Sequence, residues 1–296
     1  MAPCRRANQS GIALLMAILV VVAATAISVS MIHDESFQIR KTARLQLLDR
    51  ASSYAQGLED WAQLFLKRDL KDSKIDDLSE NWAVGIPGLP IEGGYLAGYM
   101  EDEQSKFNLN SLLDDKDSVK RLTRLCDNLE VDPSFIPALL DWIDGDSEVR
   151  YPDGEEELHE TYRVANRYMV EVSELLLVKN VKIEEYNKLK PYITVLPPTS
   201  KLNVNTMSDT VYLMLDDDLD AKAFLEERED EPFSSVQNFI DRMQIPVEEA
   251  GLSVSSEYFR AYGQVVQGDL QYDFESLIHR SANGVTAVVS RSLGQF

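Results

Sequence analysis

"NQSGIALLMAILVVV", Asn8 to Val22, is the stretch on which the fold turns. From Ile12 to Ile32 no residue is charged, a run of 21, and about 20 apolar residues in a helix suffice to cross the ~30 Å hydrocarbon layer of a bilayer. The segment predicts a transmembrane helix. Arg5 and Arg6 precede it, and the positive-inside tendency keeps them cytoplasmic, which sends everything after His33 to the opposite side. An ordinary secretory signal pairs a shorter apolar core with a small-x-small site at its far end. Here the break point, Gly11, comes before the apolar run, so cleavage there leaves the anchor attached. An uncleaved signal anchor is the alternative reading.

The helical pattern does not stop at the membrane. No proline occurs between Pro3 and Pro87, and Gly57 is the first glycine after Gly11, so a helix is predicted to continue to about Lys67. Leu47, Leu48, Ala51, Ala55, Leu58, Ala62 and Phe65 recur at three- and four-residue spacings between charges, the pattern of a helix with one face to bury.

Beyond it, "PGLPIEGGYLAGYMEDEQSKFNLNSL" reads as one or two strands ending at Asn110. Residues 114 to 185 read as mainly helical. A strand signal returns at "YITVLPPTSKLNVNT", and Asp209 to Met243 is again helical, interrupted at Pro232. The end of the chain alternates as "SEYFRAYGQVV", "LQYDFESLIHR" and "VTAVVSRSL", three antiparallel strands turning at Gly268 and Gly284. A helical block thus interrupts a sheet domain.

Fifty acidic against 29 basic residues give a formal charge of -21, which repels a phosphate backbone and excludes nucleic acid as a partner. Asp216 to Asp218 reinforce this within a segment, Asn205 to Met243, that otherwise has the layout of a helix-hairpin-helix or SAM-like unit. In "LNVNT", Asn203 and Asn205 read as ties for a strand-to-helix turn, with Thr206 or Ser208 as the helix cap. After a cut at Gly11, Cys126 has no second thiol. With only His33, His159 and His279 in the chain, it reads as a buried small hydrophobe.

Nine acidic residues crowd between Asp141 and Glu160, against the single base Arg150. Hard oxygens at short intervals on a turn-rich segment suit calcium (Ca2+), which takes six to eight oxygen ligands. Tested as an EF-hand, the register starting at Asp144 places acids at loop positions one, three, five and twelve, but position six is Val149 where the turn needs glycine. A looser calcium loop is expected, structural rather than catalytic. A solvated acidic loop is its plain alternative, and a signal-anchored, calcium-dependent hydrolase is the rival for the whole chain.

The short basic leader, the glycine and the apolar run resemble the class III signal of type IV pilins and type II secretion pseudopilins. Five further motifs, "KFNLN" (Lys106 to Asn110), "DWIDGDSE" (Asp141 to Glu148), "YRVANRYMVEVSEL" (Tyr162 to Leu175), "LKPYITVLP" (Leu189 to Pro197) and "KLNVNT" (Lys201 to Thr206), resemble the protein K family of minor pseudopilins of that system. The resemblance implies an α+β, pilin-like fold: a long N-terminal transmembrane helix, an antiparallel β-sheet and a large inserted α-helical domain. The expected divisions are a leader at 1–11, the helix at 12–67 with its membrane span at 12–32, and the first part of the pilin-like domain at 68–110. An inserted helical domain follows at 111–190, a strand plus SAM-like unit at 191–252, and the C-terminal strands at 253–296.

It also implies cleavage by prepilin peptidase between Gly11 and Ile12 with N-methylation of Ile12, residence in the inner membrane with the bulk in the periplasm, and a tip complex with minor pseudopilins I and J. Most such subunits carry glutamate at the fifth mature position, where it pairs with the amine of the subunit above. Here that position is Met16. A lone carboxylate in hydrocarbon is costly unless paired, and Met16 needs no partner above it, which suits the end of a filament. Calcium binding in the inserted domain is likewise implied, and the expected ligand set is Asp141, Asp144, Asp146, Glu148, Asp153, Glu156 and Glu157.

Overall fold

The computed structural model describes residues 10–113, 117–146, 164–247, 249 and 251–293. Helix α1 (Ser10–Asp72) is 63 residues long, about 95 Å at ~1.5 Å per residue. Its first part is exposed, whereas Ala51, Ala55, Leu58, Ala62 and Leu66 are buried at steps of three and four, the stripe expected of a helix packed on one side. The helix outruns the expected end at Lys67 because its last turn is held from outside: Arg280 bonds Asp69, and Leu70 lies against Gly284.

The strands β1 (Ile86–Ile91) and β2 (Gly94–Asp102) follow. Next come β3 (Phe107–Asn108), α2 (Ser118–Asn128), α3 (Ile136–Ile143), α4 (Ile183–Leu189), β4 (Ile193–Thr194), β5 (Leu202–Asn203), α5 (Asp209–Tyr212), α6 (Ala221–Asp230), α7 (Val236–Met243) and β6 (Leu252–Ser253). The chain then forms β7 (Tyr258–Gln267), β8 (Leu270–Arg280) and β9 (Thr286–Leu293). The sheet runs β1-β2-β7-β8-β9, antiparallel throughout. Gly268 and Gly284, in the expected turns, have φ of +58° and +78°, a region that glycine enters without the penalty a Cβ brings.

The sheet wraps one side of α1 in two layers. Ala51, Ala55 and Leu58 pack with Leu96, Val265 and Phe274, and further along the helix Ala62 and Leu66 pack with Trp82, Met100, Phe259 and Ile278. Gly98 and Gly263 face each other across β2 and β7, where a Cβ on either would lie 2.6 or 2.7 Å from Leu58. Two adjacent glycines therefore let the helix sink onto the sheet, and the Phe274 ring covers the bare backbone of Gly263.

Asp102 at the end of β2 pairs with Phe259 near the start of β7, so residues 103–257 leave and re-enter between neighbouring strands. One apolar cluster fills this insertion from Phe107 to Leu252 without a break at residue 190. Among the described residues between 114 and 185, the chain is less helical than expected. After α3 the described backbone is irregular from 164 to 171, with Asn166 at φ +46°, and then forms a short 3-10 turn at Val172–Leu177. "YITVLPPTSKLNVNT" shrinks to two two-residue parallel pairs, β3 with β4 and β5 with β6, since Pro197 and Pro198 cannot donate to a ladder. In the SAM-like segment the expected break at Pro232 separates α6 from α7, and a second break precedes α6, whose start Asp220 caps.

"KFNLN" and "KLNVN" prove to be equivalent structures. In each, the first asparagine's Oδ1 accepts from the backbone N–H two residues on (Asn110 to Asn108, 3.2 Å; Asn205 to Asn203, 3.0 Å). The second asparagine clamps a distant residue through both its backbone groups, Asn110 on Met169 and Asn205 on Phe233, at 2.8–3.0 Å. An amide that both donates and accepts replaces the missing strand neighbour.

Candidate functional site

Three regions hold the candidate residues. On α1, Gly11, Ile12 and Met16 lie in the first turns, with Ile12 66% and Met16 58% exposed. An 18-residue window of this helix has mean hydropathy 2.8 and none of it is buried by the rest of the chain. Its apolar surface therefore faces outward over the length that a bilayer requires.

The second region is the acidic segment. Asp141 occupies the last turn of α3 and Asp144 its C-cap, three residues apart and so on one side. They are 0% and 6% exposed, while Asp146 is exposed. Asn166 Nδ2 donates to the Asp146 carbonyl at 2.7 Å, 20 positions away in the sequence. Glu148, Asp153, Glu156 and Glu157 lie outside the described residues. The donor set at 141, 144 and 146 is oxygen only, which suits Ca2+ or Mg2+ rather than a metal that prefers nitrogen or sulfur. Two buried carboxylates at the negative end of a helix also form a place where a cation is electrostatically favoured.

The third region escaped the sequence reading. It is the polar seam between α1, the sheet and the insertion. Asp102, 3% exposed, accepts from Gln104 N–H (2.8 Å), Asn203 Nδ2 (3.1 Å), Thr206 Oγ1 (2.5 Å) and Ser256 Oγ (2.6 Å). Burial pushes its carboxyl up to about 6, with these bonds opposing. Beside it, Glu103 accepts from Lys106 (3.1 Å), Arg260 (2.9 Å) and Thr194 (2.5 Å). Burial raises its pKa, but the two cations outweigh that and hold it below the usual carboxylate range. Gln104 donates to the Lys201 carbonyl and accepts from the N–H groups of Glu257 and Tyr258. The outgoing strand, the returning strand and the interior of the insertion are thus bonded to one another.

On the far side of Ser256 stands Arg280, 2% exposed. It donates to Asp76 at 2.5 and 2.6 Å, to Asp69 at 3.0 Å and to the Ser256 carbonyl at 2.8 Å, and lies 4.8 Å over the Phe259 ring. Asp76 also accepts from Ser256 N–H, while Asn203 donates to the Asp76 carbonyl. Asn203 therefore does more than shape a local turn. Ser208 is the cap of α5, bonding Val211 N–H, and Thr206 serves Asp102 instead. The repeated K-x-N-x-N spacing was the available signal for this role.

Comparison with known proteins supports the geometry. The protein-family profile described as "Type II secretion system (T2SS), protein K" matches residues 105–198. Type II secretion system protein K of Pseudomonas aeruginosa is 31% identical over 98% of this chain and 94% of its own length. The chain belongs to the type II secretion system protein K family. Protein K of Aeromonas hydrophila is 30% identical, with 99% of both chains covered. A chain in the crystal structure of the GspK–GspI–GspJ complex from enterotoxigenic Escherichia coli superposes with a TM-score of 0.79 at 26% identity, covering 86% of this chain and all of that one. As a member of the protein K family, this chain is a minor pseudopilin. These relatives are named for secretion and not for hydrolysis. Consistently, Cys126 is fully buried and burial pushes its thiol up to about 12, far from an activated nucleophile.

Proposed function

We propose that this minor pseudopilin caps the membrane-distal end of a periplasmic pseudopilus, together with minor pseudopilins I and J, and helps start its assembly. The observation that carries this reading is the position of the insertion. Along α1, the layer built on Ala51 and Leu58 is nearer the membrane span, and the layer built on Ala62 and Leu66 is farther from it. The insertion departs at Asp102 and returns at Tyr258, beside the second layer. A module of 103–257 beyond that level adds bulk above the head, where a further subunit would have to stack. Met16, with no charge to offer such a subunit, agrees. The E. coli structure holds its matching chain in a complex with GspI and GspJ, which supports the same partners here. The work is assembly rather than turnover.

Processing by prepilin peptidase between Gly11 and Ile12, N-methylation of Ile12 and anchoring in the inner membrane belong to this proposal. Gold-labelled subunits on overexpressed pseudopili test it. Label is expected only at fibre ends, and the intact mass of the same material is expected to lack Met1 to Gly11 and carry one methyl. Label spread along the shaft overturns the reading.

We also propose that the Asp141 to Glu160 segment binds calcium as a structural ion, which the burial of Asp141 and Asp144 supports. Metal analysis after equilibration in millimolar calcium is expected to find bound calcium in the wild-type chain and a loss in the Asp144→Ala, Asp146→Ala double variant, with a lower melting temperature. Metal-free samples that melt alike remove the proposal.

A further inference from the structure

The seat of the last turn of α1 holds more negative charge than it neutralises. Asp69 on α1, and Asp76 and Glu80 in the loop after it, each place a carboxylate oxygen within 4.8 Å of the others. Arg280 from β8 bonds the first two. Glu80 Oε2 is taken by Trp82 Nε1 at 2.8 Å and Asp77 N–H at 3.2 Å. Behind this group stand Asp77, which holds Ser79, and Asp102, linked through Ser256. Three carboxylates at this separation, facing one guanidinium, cannot all ionise without strong mutual repulsion.

We propose that this three-carboxylate cluster keeps one proton, carried by Asp69 or Glu80 beside the Arg280-bound Asp76, and acts as a latch between stalk and head. With the proton the last turn of α1 stays seated on Arg280, and without it the surplus charge loosens that seat. The same loop carries Asp76, whose N–H bonds the Val254 carbonyl and whose carboxylate bonds Ser256, so loosening is transmitted to the returning end of the insertion.

The titration has a defined sign. Burial, then Glu80 and Asp76, push the Asp69 carboxyl up to about 7 against the opposing Arg280, and burial also raises Glu80. The folded chain therefore keeps a proton that an unfolded aspartate, near 3.8, has already lost. The resulting stabilisation is complete below that value and disappears as pH rises through about 7. Asp102 adds in the same direction around 6. Glu103, held low, works oppositely and loses its contribution only on acidification.

The test is thermal unfolding of the full chain in detergent with EDTA, from pH 5.5 to 8, alongside hydrogen exchange of residues 66–80 corrected for intrinsic rates. The wild-type melting temperature is expected to fall by roughly 3–6 °C more than that of Asp69→Asn, with exchange at 66–80 rising in the wild type alone. Glu80→Gln, which keeps the acceptor for Trp82, is expected to move the midpoint of the fall to lower pH. Parallel curves for all three proteins overturn the latch. So does a pH-dependent melt with no local change at 66–80. A melting temperature that calcium or magnesium raises in the wild type but not in Asp69→Asn makes the cluster a cation site, and that too overturns it.

Discussion

Arg280→Met will destabilise the head by about 3–5 kcal/mol, because truncating one side of a buried charge pair leaves its partners uncompensated. Whole domains are stable by only about 5–15 kcal/mol, so a head with this change is expected to be partly unfolded near physiological temperature. The effect is large because Arg280 serves several elements at once: Asp69 on α1, Asp76 in the following loop, the carbonyl of Ser256 ahead of β7 and the ring of Phe259 on β7. Methionine matches the length of the aliphatic stem and removes the five donors. Denaturant unfolding at pH 7 measures the loss. The triple variant Arg280→Met, Asp69→Asn, Asp76→Asn is expected to recover most of it, since the carboxylates left without a counter-charge cause the damage. A loss below about 1 kcal/mol in the single variant would mean that water replaces the guanidinium, and the buried hub would not be what seats the helix.

Excising residues 103–257 is expected to give a folded five-stranded head that only Met16 still keeps out of the fibre shaft. Asp102 and Phe259 are register partners, so with Tyr258 also removed these two residues can be joined by a two-residue Asn-Gly turn of the kind that suits antiparallel strands. The two apolar layers on α1 use residues outside the excised range throughout. Two barriers to stacking are proposed, bulk above the head and the missing carboxylate at Met16, and the experiment separates them. Excision alone is expected to leave labelled subunits at the ends but to weaken the tip complex. Excision combined with Met16→Glu is expected to put them along the shaft, where the new carboxylate meets an amine from above instead of costing roughly 2.5–3.5 kcal/mol unpaired. If the doubly changed subunit is still confined to ends, neither the insertion nor Met16 is what excludes a neighbour.

The parts of this fold that the sequence announced are those in which one residue's environment follows from its immediate neighbours. Ile12 to Ile32 announce a membrane helix because 21 uncharged residues have few other places to go, and Ala51, Ala55, Leu58 and Ala62 announce the face that packs. The last three strands declare themselves by alternation and by Gly268 and Gly284. The interior of the insertion was legible less well. Val164 to Glu171 looked helical by composition, yet their backbone is set by Asn110, which grips Met169 from 59 positions away.

The seam shows where local reasoning stops. Asp69, Asp76, Asp102, Asn203, Ser256 and Arg280 are scattered over more than 200 positions, and, Asn203 apart, each taken alone reads as an ordinary surface residue. Their burial costs so much singly that only simultaneous pairing makes it tolerable, and that pairing exists only once α1, the sheet and the insertion have met. Sequence by itself therefore determined the anchor, the amphipathic stalk, the sheet strands and the family pattern, since these rest on periodicity and on hydrophobic transfer residue by residue. Tertiary structure alone decided how the insertion is fixed to the end of the stalk and how many charges that junction must share, since a buried ion's energy depends on partners the chain brings from afar.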